Sequence, residues 1–168
     1  LYAYGKEDDQ KWIIVDMGVT FADDSIPGID LIFPDPGFIL DKKDDLLGIV
    51  LTHAHEDHIG AVAHIWPSLK CKMYATPFTA ALIYEKFKEK KIDISSYLKI
   101  VPLNSKIKLG AFEIDFVTLT HSILEPNGLS ITTPLGTVLH TGDWKIDPNP
   151  LIGGTIDEEK LKAIGEKG

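Results

Sequence analysis

The sequence predicts an α/β fold, and three observations carry that expectation. Two short β-branched runs, WIIVDMG at 12–18 and GIVLTH at 48–53, stop at polar residues as buried strands do. Within PFTAALIYEKFKEKK, Ala80, Ile83, Tyr84 and Phe87 recur at helical spacing and make an apolar stripe. In FEIDFVTL at 112–119, apolar Phe112, Ile114 and Phe116 alternate with Glu113 and Asp115, the pattern of a half-buried antiparallel strand.

The remaining elements follow in order. Between the first two strands, DDSIPGIDLIFPDPG holds too many prolines and glycines for a helix, so a long loop with at most a short extended piece is expected. IGAVAHIW has the length for two helical turns, which Pro67 should stop. KMYAT at 72–76 reads as the next strand, after which Thr76 is expected to cap the striped helix with Pro77 at its first position. LSITTPLGTVLHTGD reads as a hairpin about a turn at 134–136, its second strand running to Asp143 after Gly142. The tail DEEKLKAIGEKG has helical character, and no repeat, low-complexity tract or second domain boundary interrupts the chain.

Composition narrows what these elements can do. A chain of 168 residues, 44% of them hydrophobic, fits one globular domain; at that size roughly two-thirds of the unfolded surface is buried. Its 17 basic and 25 acidic side chains give a net charge of -8, the wrong sign for a domain that grips phosphate backbones over its whole surface. Any nucleic-acid footprint must be local or supplied elsewhere. Cys71, the single cysteine, excludes an internal disulfide, suits a reducing compartment and reads as a small buried hydrophobe in a strand. No apolar run approaches the roughly 18 residues of a membrane span, so the expectation is a cytoplasmic protein without a membrane partner.

The chemistry concentrates in LTHAHEDHIGA at 51–61, where His53, His55, Asp57 and His58 occupy six positions at the end of an apolar run. Neutral packing has no use for such a cluster, and protonated imidazoles would repel one another. In an extended segment side chains two apart point the same way, so His53 and His55 can converge on one metal ion. Asp57 and His58 follow where the chain turns into a helix and can swing to a second ion. Imidazole nitrogen and carboxylate oxygen both suit zinc. His64 and His140 stand alone and are read as packed or hydrogen-bonded histidines, not as ligands.

HAHEDH matches the HxHxDH signature of the metallo-β-lactamase superfamily, and the surrounding text resembles its ribonuclease J branch more narrowly. VDMGVTFADD, LTHAHEDHIGA, YAT before a helix, THS at 120–122 and GTVLHTGDWKID at 136–147 arrive in that family's order along nearly the whole chain. The resemblance implies an αββα sandwich with the active site at the ends of its central sheets. It implies that His53, His55 and His121 hold one metal, that Asp57 and His58 hold a second, and that Asp143 bridges both. Asp16, in the VDMG turn, would brace the ligand loop from behind; the alternative for it is an ordinary turn-capping carboxylate. Two zinc ions, or manganese in their place, would lower the pKa of a shared water so that hydroxide attacks phosphorus in line, with Asp57 orienting that water or accepting its proton. The substrate implied is RNA.

The family's chains continue through a second half of the metal-binding domain, an inserted β-CASP domain and a C-terminal region. Residues 1–168 are therefore expected to be a single partial metallo-β-lactamase domain, the N-terminal half of the sandwich, with a further histidine ligand and most of the RNA surface lying beyond it. An apolar face left without its partner should self-associate or take up another chain. Three functions remain open on sequence: an RNA-cleaving hydrolase, a hydrolase of a small ester, thioester or lactam on the same fold, and a metal-binding fragment inactive in isolation.

Overall fold

A computed structural model describes residues 1–166. The chain opens with β1 (Tyr2–Tyr4) and β2 (Lys11–Val15), then passes through a minimal hairpin of β3 (Thr20–Phe21) and β4 (Leu31–Ile32). After α1 (Gly37–Leu40) and one 3-10 turn come β5 (Leu46–Val50), α2 (Glu56–Ile59) and α3 (Val62–Leu69). Next are β6 (Met73–Ala75), α4 (Pro77–Glu89) and β7 (Leu98–Ile100). The second half contributes β8 (Lys106–Leu109), β9 (Phe112–Thr118), β10 (Asn127–Thr133), β11 (Gly136–His140) and α5 (Glu158–Gly165).

These strands form two sheets. The first has the order β1-β2-β5-β6-β7, with β1 antiparallel to β2 and the other pairs parallel; the second is an antiparallel meander, β11-β10-β9-β8. Alternation along each strand sorts side chains between layers. On β2 and β5, Ile14 and Ile49 pack outward with Leu51, Met73 and Ala75 against Trp66 of α3 and Ala80, Ile83 and Phe87 of α4. Ile13 and Val50 point the other way and meet Phe112, Ile114, Phe116, Leu129 and Ile131 of the second sheet. Helices, sheet and sheet are thus stacked on two cores. The partial sandwich contains both sheets; what it leaves thinly covered is the outer side of the second. There α5 is tied down by Lys160, whose ammonium donates to the Phe116 carbonyl at 2.9 Å and pairs with Asp115 at 2.7 Å.

Four local expectations change. Pro67 does not stop α3, which runs on to Leu69: a proline in the final turn forfeits only its own N–H bond, and Lys70, at φ +51, closes the helix by donating to Trp66. Thr76 takes the extended N-cap conformation without capping, because its hydroxyl faces that of Thr79; the Phe78 amide is taken instead by the Glu125 carboxylate at 2.8 Å. Cys71 lies in the connection before β6, partly buried, its thiol pushed up to about 12 by burial and so kept protonated. Strand β11 ends at His140, since Gly142 at φ +57 turns the chain away. The loop over 23–37 behaves as expected, its only extended piece being β4. No helix among the described residues is long and apolar enough to cross a membrane.

Candidate metal centre

The cluster at 53–58 sits just past the end of β5, where the chain stays extended through His55 and then turns into α2. That local geometry follows from packing on the segment after β2. The Met17 amide donates to the His58 carbonyl at 2.7 Å and the Val19 amide to the Glu56 carbonyl at 3.0 Å. Gly18 lies so close to this turn that a Cβ there would fall 1.6 Å from the Asp57 carbonyl oxygen, so only glycine permits the approach. His53 and Thr52 are fully buried beneath the turn.

His53, His55 and His121 come together. The His55 Nδ1 is 3.2 Å from His53 Nε2 and 3.1 Å from His121 Nε2. His121 reaches the cluster from the loop between β9 and β10, on the opposite sheet. Tetrahedral sites at Zn–N distances of about 2.0–2.1 Å place neighbouring ligand atoms about 3.3 Å apart, so the spacing of these nitrogens fits a metal. A second group forms beside the first: His58 Nε2 lies 3.4 Å from Asp143 Oδ2, and His53 is close to both. Asp143 also faces His121 Nε2 at 3.8 Å, between the two groups. Asp57 stands at the rim, 62% exposed, with Oδ2 3.8 Å from His58 Nε2. The donor set of imidazoles and carboxylates suits zinc or manganese.

Asp16 lies beneath these side chains. Its Oδ1 accepts from the Thr52 amide at 2.7 Å, while Oδ2 accepts from the Thr52 hydroxyl at 2.7 Å and the His58 Nδ1 at 2.8 Å. A carboxylate on one ring nitrogen directs the other toward the site. The electrostatics divide the histidines accordingly. Burial first, then the His58 charge, lowers the His53 pKa to about 4, so its nitrogens are free of the second proton at neutral pH. Burial also draws His58 down, but the hydrogen bond and charge of Asp16, with Asp143 and Asp57 behind, outweigh it and raise its pKa. His121 is lowered by burial and by His55, against the pull of Asp143.

Several supporting residues escaped the sequence reading. Asn127 is buried and its amide nitrogen donates to the carbonyls of Thr52, at 3.2 Å, and Glu125, at 2.7 Å, joining the segment before His53 to the loop that bears His121. Its Oδ1 has no partner among the described residues. The Thr120 hydroxyl donates to the Lys145 carbonyl, and the Lys145 amide donates to the Thr120 carbonyl at 2.8 Å, tying the same loop to the one that bears Asp143. Adjacency to the ligand-type residues was the one available signal, and it marks Thr120 and Thr52 but not Asn127. Both lone histidines are hydrogen-bonded: His140 Nδ1 to the Tyr2 hydroxyl at 3.0 Å, and the exposed His64 Nδ1 to the Lys90 ammonium at 3.4 Å.

The chain belongs to the β-lactamase superfamily domain family, whose profile matches residues 11–160. Among curated proteins it is similar to ribonuclease J of Sinorhizobium meliloti, 44% identical over 168 residues, which are the whole of this chain and 30% of that protein. It is likewise similar to ribonuclease J of Helicobacter pylori, 39% identical over 163 residues, 96% of this chain and 24% of that one. The chain thus spans less than a third of the length of these relatives. Among solved structures, the metallo-β-lactamase fold protein YhfI from Bacillus subtilis superposes with a TM-score of 0.53 at 18% identity, covering 84% of this chain and 54% of YhfI, a likeness of fold.

Proposed function

We propose that residues 1–168 are the N-terminal part of a single metallo-β-lactamase domain that hydrolyses RNA phosphodiester bonds in the cytoplasm, in the manner of the ribonuclease J proteins it resembles. The observation that carries this reading is the convergence of His53, His55 and His121 from opposite sheets, beside His58 and Asp143. His53, His55 and His121 would hold one zinc or manganese ion, Asp57 and His58 a second, and Asp143 both. Bound metals supply Lewis acidity, which lowers the pKa of water and stabilises charge on phosphoryl oxygens. The chain's own contributions are distinct. Asp16 holds the His58 ring with Nε2 toward the site, and Asp57, exposed at the rim, would orient the attacking water or accept its proton.

The same reading extends to the surface. Leu139, Trp144, Ile146, Leu151 and Ile152 are exposed along β11 and the segment after it. Of these, Leu139, Trp144 and Ile146 line a groove of 1070 Å³ together with Leu119, Ile156 and Leu161. A second copy or another chain covers this side in the working protein.

The test begins with elemental analysis of the chain purified without added metal, beside Asp143→Ala. About two metals per chain in the parent and a loss in the variant support the two-metal reading, and chelator-sensitive cleavage of 5'-monophosphorylated RNA then supports the substrate. Turnover of a chromogenic lactam or thioester without RNA cleavage would replace the proposal with a small-molecule hydrolase. Metal binding without any turnover would leave a binding fragment.

A further inference from the structure

Beneath the histidine centre, the hydrogen bonds of one threonine run in a fixed direction. Thr52 and His53 are wholly buried, so their polar groups depend on protein partners. Every polar group of Thr52 is engaged. Its amide donates to Asp16 Oδ1 at 2.7 Å, and its carbonyl accepts from the Asn127 side-chain amide at 3.2 Å. Its hydroxyl lies 2.7 Å from Asp16 Oδ2 and 3.0 Å from His53 Nδ1. A carboxylate can only accept, and a hydroxyl has a single proton to give. The Thr52 proton therefore goes to Asp16, and toward His53 the same oxygen can only accept. His53 must then carry its ring proton on Nδ1, which leaves the lone pair on Nε2, the atom 3.2 Å from His55 Nδ1.

Asp16 acts on a second ring as well. Its Oδ2 also accepts from His58 Nδ1 at 2.8 Å, so His58 holds a proton there and presents Nε2 to Asp143, 3.4 Å away. One acid thus orients two histidines, His58 directly and His53 through the threonine hydroxyl. A neutral imidazole without such a partner divides its proton between its two nitrogens, and His53 protonated on Nε2 would aim its lone pair at Thr52, away from the cluster. We infer that Thr52 is a positioning residue: its hydroxyl passes the acceptor character of Asp16 on to His53 and fixes the tautomer whose Nε2 faces the metal centre. The inference rests on the metal-binding part of the proposed function and adds to it a residue outside the ligand set. A valine at position 52 keeps the side-chain shape but strands the buried His53 N–H without an acceptor. It leaves Asp16 its bonds from the backbone amide of residue 52 and from His58. A serine keeps the whole relay.

The test is NMR of the histidine ring nitrogens in the metal-free chain at neutral pH, for the parent, Thr52→Val and Thr52→Ser, with zinc affinity measured by calorimetry on the same proteins. In the parent, His53 should carry its proton on Nδ1. Thr52→Val should move that proton, wholly or in part, to Nε2 while His58 keeps its own on Nδ1, and zinc affinity should fall about 10- to 100-fold. Thr52→Ser should restore both the tautomer and the affinity. The unchanged His58 ring separates this effect from a general loosening of the fold, which would disturb both rings. A parent His53 protonated on Nε2 overturns the relay, whether or not the variants fold. So does a Thr52→Val chain whose His53 tautomer or zinc affinity matches the parent's. Tautomers that follow the variants, in a parent that binds no zinc, leave the relay standing and remove the metal-centre reading.

Discussion

Asp16 takes a left-handed backbone conformation, φ +57, that a non-glycine residue adopts at some cost, and three hydrogen bonds to its carboxylate offset it. Asp16→Asn keeps an acceptor for Thr52 but loses the charge that raises His58. In the metal-free variant the His58 pKa, followed by NMR, should therefore fall, and zinc affinity by calorimetry should drop about 10- to 100-fold. An unchanged His58 titration would reduce Asp16 to a turn cap. His53 gives the opposite sign of pH dependence. Its folded pKa of about 4 lies below its unfolded value of 6.5, so its contribution is fully present above 6.5 and is lost as pH falls toward 4. The loss is roughly 3 kcal/mol. His58, raised, contributes in the other direction, its share being present below 6.5 and lost as pH climbs through its folded pKa. Urea unfolding of metal-free His53→Asn between pH 6.5 and 4 should consequently show a flatter decline than the parent. At this scale His121, Asp143 and Asp16 were reached only through the family resemblance, whereas the convergence of His53 and His55 was legible because spacing in an extended segment fixes direction. Asn127 was not, because a lone asparagine between two glycine- and proline-bearing stretches looks like any turn residue until its two carbonyl partners are in place.

Among the elements, α4 shows both what a sequence window sees and what it misses. The stripe of Ala80, Ile83 and Phe87 is buried as its spacing requires, with Tyr84 half-buried beside it. Its N-terminus is another matter, for the cap comes from Glu125, 47 residues away from the Phe78 amide that it accepts. A carboxylate there satisfies an otherwise free N–H and faces the positive end of the helix dipole. Glu125→Ala should cost about 1 kcal/mol in thermal or urea unfolding, whereas Thr76→Val should stay within about 0.5 kcal/mol. Equal losses would return the cap to Thr76. Pro67 was misread for a related reason: local rules penalise proline in a helix interior, but in a final turn the penalty shrinks to a bond that packing of Trp66 and Leu69 outweighs.

For the whole molecule, the two sheets are legible from the parallel-type runs of the first half and the alternating run and hairpin of the second. Their facing arrangement is not, since nothing local states that Ile13 and Val50 will meet Phe112 and Phe116. The exposed apolar residues after β11 belong to this scale as well. Light scattering should find the chain larger than a monomer, and Trp144→Glu with Ile146→Glu should shift it toward the monomer without loss of zinc binding. A monodisperse parent monomer that binds no apolar dye would count against a covered face.

The bond between Tyr2 and His140 joins residues 138 positions apart and clasps the outermost strand of one sheet to that of the other. During synthesis, at about 5–20 residues per second, the second ring emerges some 7–28 seconds after the first. The β1–β2 hairpin can form within its own few residues, but Ile13 and Val50 then wait for the meander that covers them. A nascent chain therefore keeps that side of the first sheet wet until β9 and β10, with Phe112, Phe116, Leu129 and Ile131, have left the ribosome.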